Sequence, residues 1–353
     1  MVKPFSSICS SETERVIAYW LLTVGFMVFV IIFIGGLTRL THSGLSMVEW
    51  KPLTGWLPPM DKESWNEQFD NYKKFAEYRV YNKGMALEEF KNIFWLEFIH
   101  RFFGRLIGLI FLIPFIYFSF RRIIPRYLYP KLILMLCLGA SQGFIGWWMV
   151  KSGLANEPDV SQYRLAIHLF VAFVILGYIF WVALCLLKPI VPIELDNNQK
   201  KLILHVKGII ILVVITILSG ALVAGLDAGF VYNEFPLMDG RFFPEGYFEL
   251  TPWYINIFEN LASVQFDHRW LAIFTFFTCV SLFFRAGKMG ANGRVWVAIC
   301  MLLFIITIQV VLGVSTLLLV VPISLASLHQ LGAVMLFLSA IWTLKELYSA
   351  YKN

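Results

Sequence analysis

Residues 97–120 read EFIHRFFGRLIGLIFLIPFIYFSF and are followed by the basic pair Arg121-Arg122. After Glu97 the run holds no acid, and its only cations, Arg101 and Arg105, lie in its first turns. A helix needs about 20 mostly apolar residues to cross the hydrocarbon core of a bilayer. Backbone groups in lipid must satisfy one another within the segment, so such a run is a helix and not a strand. Seven other runs share this character. Spans are expected at 16–38, 99–120, 130–150, 164–187, 202–225, 265–284, 294–319 and 322–344.

Composition agrees. Of 353 residues, 59% are hydrophobic and 15% are charged, against about 25% charged in soluble domains. A net charge of +6 would suit nucleic acid if the cations were clustered. Instead they occupy short loops: Arg121, Arg122, Arg126 and Lys131, then Lys188, Lys200 and Lys201, then Arg285, Lys288 and Arg294, with Lys345 and Lys352 at the end. Nucleic acid is therefore excluded as a partner. The positive-inside rule puts these loops and both termini in the cytoplasm. The long loops 39–98 and 226–264 then lie outside, and 61–91 suits one or two amphipathic helices on the membrane face. The N-terminal MVKPFSSICSSETERV lacks the features of a cleaved signal or an organelle presequence, which points to a bacterial inner membrane. The five cysteines, Cys9, Cys137, Cys185, Cys279 and Cys300, show no metal-ligand spacing and no pairing pattern. They read as small buried residues.

The chain also repeats itself. Glu97-Phe-Ile-His100-Arg101 echoes Gln265-Phe-Asp-His268-Arg269, and Gln142-x3-Gly146 echoes Gln309-x3-Gly313. His168 and His329 each fall early in the fourth helix of a half, and Gly36…Glu49-Trp-Lys-Pro52 echoes Gly220…Asn233-Glu-Phe-Pro236. The expected fold is an all-α membrane protein of two tandem, pseudo-symmetric four-helix bundles related by an axis along the membrane normal. Its parts are a cytoplasmic tail (1–15), an N-terminal bundle (16–187), a linker (188–201), a C-terminal bundle (202–344) and a second tail (345–353).

Four of the six histidines, His100, His168, His268 and His329, occupy matched places at one expected depth near the outer face. Ionisable residues inside membrane helices are costly and usually functional. Two imidazoles at one level of a helix bundle can grip a haem iron from both sides. A zinc or copper site would recruit further close ligands, and only Glu97 is near. Arg101 and Arg269 follow two of the histidines and carry the planar fork that suits haem propionates. Gly104, Gly108, Gly139, Gly143, Gly146 and Gly313 give room for close approach. Glu97 stands on the same helix face as His100, where the other half has Gln265. That difference assigns proton handling and the reacting haem to the N-terminal half. His42 and His205 have no repeat partners and read as structural. An electron-transfer cytochrome of haem b that oxidises quinol shares the histidines but does not need Glu97. A repeat-built transporter would place its polar cluster at the midplane.

Across nearly its whole length the chain resembles haem A synthase of the alphaproteobacterial and mitochondrial type. The resemblance is carried by the stretches 35–52, 97–105, 142–153, 232–240, 265–269 and 328–333 together. It implies an oxidoreductase acting on CH groups. The C8 methyl of haem O would be hydroxylated twice, with oxygen from water, and dehydrated to the formyl group of haem A. It implies His100 and His168 as axial ligands of the substrate haem, His268 and His329 as ligands of a cofactor haem b, and Glu97 as the essential acid. The implied partners are haem O synthase as haem donor, cytochrome oxidase assembly, membrane lipid, an electron partner of unspecified kind and a second copy of the chain. Some members carry a cysteine pair in an outer loop; loops 39–98 and 226–264 here hold none.

Overall fold

The computed structural model describes residues 12–51, 54–154, 158–190 and 196–349. Cys9, most of the N-terminal tail, Pro52, the middle of the linker and the last four residues lie outside the described set. Among the described residues, eight helices are long and apolar enough to cross a membrane. They are α1 (Glu12–Leu40), α4 (Leu87–Phe120), α5 (Tyr129–Gly153), α6 (Gln162–Leu187), α7 (Asn197–Gly225), α9 (Leu261–Lys288), α10 (Gly293–Leu318) and α11 (Ile323–Ser349). Three short helices, α2 (Lys62–Tyr72), α3 (Ala76–Val80) and α8 (Asn256–Glu259), lie in the two long loops.

Neighbour relations follow chain order. α1 packs on α4, α4 on α5, α5 on α6 and α6 on α1, closing one ring; α7, α9, α10 and α11 close another in the same order. The rings meet through α6 against α7 and α11, and α1 against α11. One continuous apolar core runs through this junction, with Leu21 and Val24 of α1, Leu176 and Ile179 of α6, Ile209 of α7 and Phe337 of α11 all buried. Lipid tails are as apolar as leucine, so close packing, not hydrophobic exclusion, holds such helices together. Gly177 of α6 shows it: a Cβ there would stand 2.9 Å from the Phe337 ring. At the short-loop end, buried Glu346 accepts from Arg294 at 3.1 Å and Lys188 at 3.4 Å.

The sequence expectation errs at the second span. α4 begins at Leu87, not near 99, so His100 lies more than three turns inside it rather than at its end. The extra turns are helical because their apolar side is covered by protein. Phe90, Phe94 and Phe98 recur every four residues and meet Trp65, Phe69 and Tyr72 of α2 in a buried aromatic cluster. Ring pairs such as Phe69 with Phe90, centroids 4.9 Å apart, contribute about 0.5–1.5 kcal/mol each beyond their burial. Asp61 caps α2 by accepting from the Ser64 N–H at 2.8 Å, and Glu89 accepts from the Ala86 N–H at 2.8 Å where α4 starts. The segment 61–91 thus packs on protein through its apolar stripe.

Candidate haem-binding histidine pairs

The four histidines come from helices that stand diagonally in their rings, α4 and α6 in one, α9 and α11 in the other. His168 and His329 are each the seventh residue of their helix, and His268 is the eighth. All lie toward the end that carries the long loops. The rings of His268 and His329 have centroids 6.4 Å apart and planes at 89°. A metal–imidazole bond of about 2 Å, with the ring centroid about 1 Å behind its nitrogen, places trans ligands about 6 Å apart, centroid to centroid. The centroid spacing of this pair matches that of two imidazoles sharing one iron. His100 and His168 lie close enough to interact electrostatically.

Each imidazole leans on a glycine of a neighbouring helix. A Cβ on Gly35 would stand 3.2 Å from His100, on Gly146 3.0 Å from His168, on Gly220 3.0 Å from His268 and on Gly313 2.8 Å from His329. The glycine matched to Gly220 is thus Gly35, not Gly36. Gly36 serves the junction of the rings, where Gln330 crosses from α11 and donates to the Ile32 carbonyl at 2.9 Å. A glutamine fixes the helix under two of the ligands: Gln142 Nε2 donates to the His168 carbonyl and Gln309 Nε2 to the His329 carbonyl, both at 2.9 Å. The spacing Gln-x3-Gly is now physical, since one residue holds the histidine backbone and the other admits its ring.

The ring nitrogens suit metal ligation. Ser219 Oγ lies 2.9 Å from His268 Nδ1 and donates its own hydrogen to the Thr216 carbonyl at 2.8 Å. With that hydrogen on Thr216, Ser219 is free to accept from Nδ1–H, the tautomer that leaves Nε2 for a metal. His168 Nδ1 and His329 Nδ1 are buried with no hydrogen-bond partner. Gly108, Gly139 and Gly143 border open space.

Both arginines bind the long loops. Arg101 donates to the carbonyls of Glu49 (2.9 Å) and Met47 (2.7 Å) and pairs with Glu97 at 2.5 Å. Arg269 donates to the carbonyls of Glu234 (2.9 Å), Leu237 (3.0 Å) and Tyr232 (2.8 Å), and to Gln265 Oε1 at 3.1 Å. Each guanidinium ties a long loop down over its half. Arg269 Nε is buried with no hydrogen-bond partner.

Glu97 and Gln265 share that clamp with opposite polarity. Buried Glu97 accepts from Ser46 Oγ at 2.6 Å and from the Met47 N–H at 2.7 Å. Gln265 instead donates to the carbonyls of Ala228 (2.9 Å) and Tyr232 (3.1 Å). A carboxylate here needs loop donors, and an amide needs loop acceptors, so each loop is shaped to its own residue.

Other residues at this end carry weight that sequence reasoning overlooked. Arg39, at the end of α1, binds Asp159 at 2.9 Å and Asp227 at 3.0 Å, joining the α5–α6 connection to the start of the second long loop. Tyr81 donates to Asp159 at 2.7 Å and packs against His42 with the rings tilted and their centroids 5.1 Å apart. Glu77 of α3 is buried and accepts from Tyr72 at 3.0 Å. Burial pushes its carboxyl up to about 8, with the Tyr72 hydrogen bond acting the other way.

The fold defines a helical membrane protein with four buried histidines on two pairs of spanning helices. The family profile for cytochrome oxidase assembly protein matches residues 18–341. Relatives described as "Heme A synthase" include one from Nitrosospira multiformis, 47% identical over 95% of this chain and 94% of its own. Others are from Nitrosomonas eutropha, 47% identical over 96% and 95%, and from Parvibaculum lavamentivorans, 45% identical over 96% and 96%. The chain belongs to the haem A synthase family.

Proposed function

We propose that this protein oxidises the C8 methyl of haem O to the formyl group of haem A for cytochrome oxidase assembly. His100 and His168 hold the substrate haem, His268 and His329 hold a resident haem b, and haem O arrives from its synthase. The site faces the periplasm of a bacterial inner membrane, with both termini in the cytoplasm. The observation that carries this reading is the repeated cage, in which a glycine seats each imidazole and the rings of the C-terminal pair stand one iron's width apart.

Bound haem supplies the redox chemistry that oxidising a methyl group demands. The chain supplies position. Gly35 and Gly146 fix the substrate ligands, and Gln142 holds the backbone beneath His168. The Glu97–Arg101 pair draws the 46–49 segment over the N-terminal site and limits water. Glu97 is the one acid three residues from an axial ligand, placed to hold or pass protons released at the methyl group. Gln265, an amide, cannot do so, which is why the C-terminal half takes the permanent haem.

The test is the pigment. Protein made with haem O available yields haem A from wild type, while Glu97→Ala keeps haem b and makes at least tenfold less haem A. Unconverted haem alone from wild type would establish an electron-transfer cytochrome instead. Equal haem A from both proteins would remove Glu97 from the chemistry.

A further inference from the structure

The two rings of helices meet at two junctions that the repeat makes equivalent, α6 on α7 and α11 on α1. The histidines and their seats align the positions. His168 matches His329 and Gly35 matches Gly220. One residue further on, Leu169 therefore matches Gln330 and Gly36 matches Ala221. The α6–α7 side has a leucine and an alanine, with no side-chain polar group. The α11–α1 side has a glutamine against a glycine.

That second pair is closely fitted. Gln330 Nε2 donates to the Ile32 carbonyl at 2.9 Å. A Cβ on Gly36 would stand 1.5 Å from Gln330 Oε1, so only glycine admits the amide there. In an α-helix the Ile32 carbonyl is also the acceptor for the N–H of residue 36. Gln330 thus grips the turn of α1 that carries Gly35, the seat of His100. At its other end Gln330 shares a peptide bond with His329, and Gln309 Nε2 holds the carbonyl of that bond at 2.9 Å. One amide side chain therefore runs from a ligand of the C-terminal pair to the seat of a ligand in the N-terminal pair. Hydrogen bonds between membrane helices stabilise only modestly. The equivalent junction has Leu169 and Ala221 in these places, so packing of the rings does not require the amide.

We propose that Gln330 is a positioning residue that couples the two histidine pairs, so that haem on His268 and His329 preorganises the seat of His100. The proposal rests on the function given above, in which a resident haem accompanies the substrate haem. Axial ligation fixes the His329 ring. The peptide bond shared with Gln330 passes that order to Ile32, Gly36 and Gly35. A haem arriving between His100 and His168 then has less of the chain left to order, which is positive cooperativity without a change of fold. Coupling of binding is reciprocal, so an occupied α4–α6 pair tightens the α9–α11 pair by the same factor.

The experiment uses the full-length protein in lipid nanodiscs and haemin as the probe. The dissociation constant of the α4–α6 pair is measured with haem on the α9–α11 pair and again with that pair disabled by His268→Ala. Loading should tighten the α4–α6 pair by about fivefold or more. The double variant Gly36→Ala with Gln330→Leu carries the residues of the other junction, a packing the fold already contains. It should bind haemin at both pairs with unchanged bis-histidine bands, while the loading factor falls below about twofold. Gln330→Met keeps the length of the side chain and removes only the donor, and it should lose the factor in the same way. A wild-type factor below twofold would overturn the proposal. So would an undiminished factor in both variants, or equal weakening of both pairs with the factor intact, which marks a packing residue. Haem A formation with uncoupled pairs would sink the coupling alone. Coupled pairs in a protein that leaves haem O unconverted would sink the synthase reading and leave the coupling standing.

Discussion

Adding one methyl group to a cage glycine should unseat a chosen haem without touching any ligand. At Gly313 a Cβ would stand 2.8 Å from His329 Cε1, whereas carbon atoms pack best at about 3.5–4.0 Å. The imidazole must therefore retreat by more than about half an ångström. It cannot do so freely, because Gln309 pins its backbone carbonyl at 2.9 Å. Overpacking of this kind costs about 1–3 kcal/mol, which weakens haem binding by roughly 5- to 150-fold. Gly220→Ala, at 3.0 Å from His268, should act in the same range. Both variants should lose haem b, measured as extracted haem per protein together with the bis-histidine absorption bands. Gly35→Ala and Gly146→Ala, at 3.2 Å and 3.0 Å from their histidines, should keep haem b and lose haem A. Gly208, with nothing within 4 Å, is the control, and its alanine variant should match wild type. Full haem content and unaltered bands in Gly313→Ala would refute the cage as the determinant of ligand position.

Glu77→Gln should raise stability in a pH-dependent manner. A buried carboxyl raised from 4.5 to about 8 stays neutral while its unfolded counterpart ionises, so stability falls as pH rises from 4.5 through 8. Thermal midpoints in detergent should be nearly equal for both proteins at pH 5, and the variant should gain a few degrees at pH 8.5; a gain that is the same at both pH values would place the cause elsewhere. Arg39→Ala removes two ion pairs whose acids are 26% and 40% exposed, so solvent screening limits the loss to about 1–3 kcal/mol. A fall in the thermal midpoint that Arg39→Lys only partly restores would fit a two-acid fork, and full restoration by lysine would show that charge alone suffices.

Periodicity and apolar length made the spans legible because lipid leaves the backbone few choices. They could not locate the start of α4. The turns from 87 to 98 mix charges with Phe90, Phe94 and Phe98, and they are helical because α2 covers one side of them, a tertiary fact with no local signature. The histidines stood out because ionisable side chains are rare in apolar runs. Their seats did not, since Gly35 and Gly36 are adjacent and only the packing distinguishes the one that meets His100 from the one that meets Gln330. Arginine chemistry was legible only in part. Beside their role toward a propionate, which the sequence suggests, Arg101 and Arg269 give Nη donors to carbonyls of their own loops, a contact with no local signature.

The clamp explains why residues 97 and 265 cannot simply be exchanged. Around Glu97 the loop offers donors, Ser46 Oγ and the Met47 N–H, while around Gln265 it offers the acceptors of Ala228 and Tyr232. An amide at position 97 would turn either its NH2 toward the Met47 N–H or its only acceptor away from Arg101. A carboxylate at 265 would face two carbonyl oxygens. Each mismatch leaves a buried polar group unsatisfied, at about 1–3 kcal/mol. The acid and the amide are therefore built into separate loop conformations. Exchange of acid for amide has to involve the loops as well as the residues beside the histidines. Ser219 and Asp267 extend the same contrast to the flank, where the first half has Ile34 and Ile99. One half thus carries an acid over its histidine pair and isoleucines at its side, and the other an amide over the pair and a serine and an acid at its side.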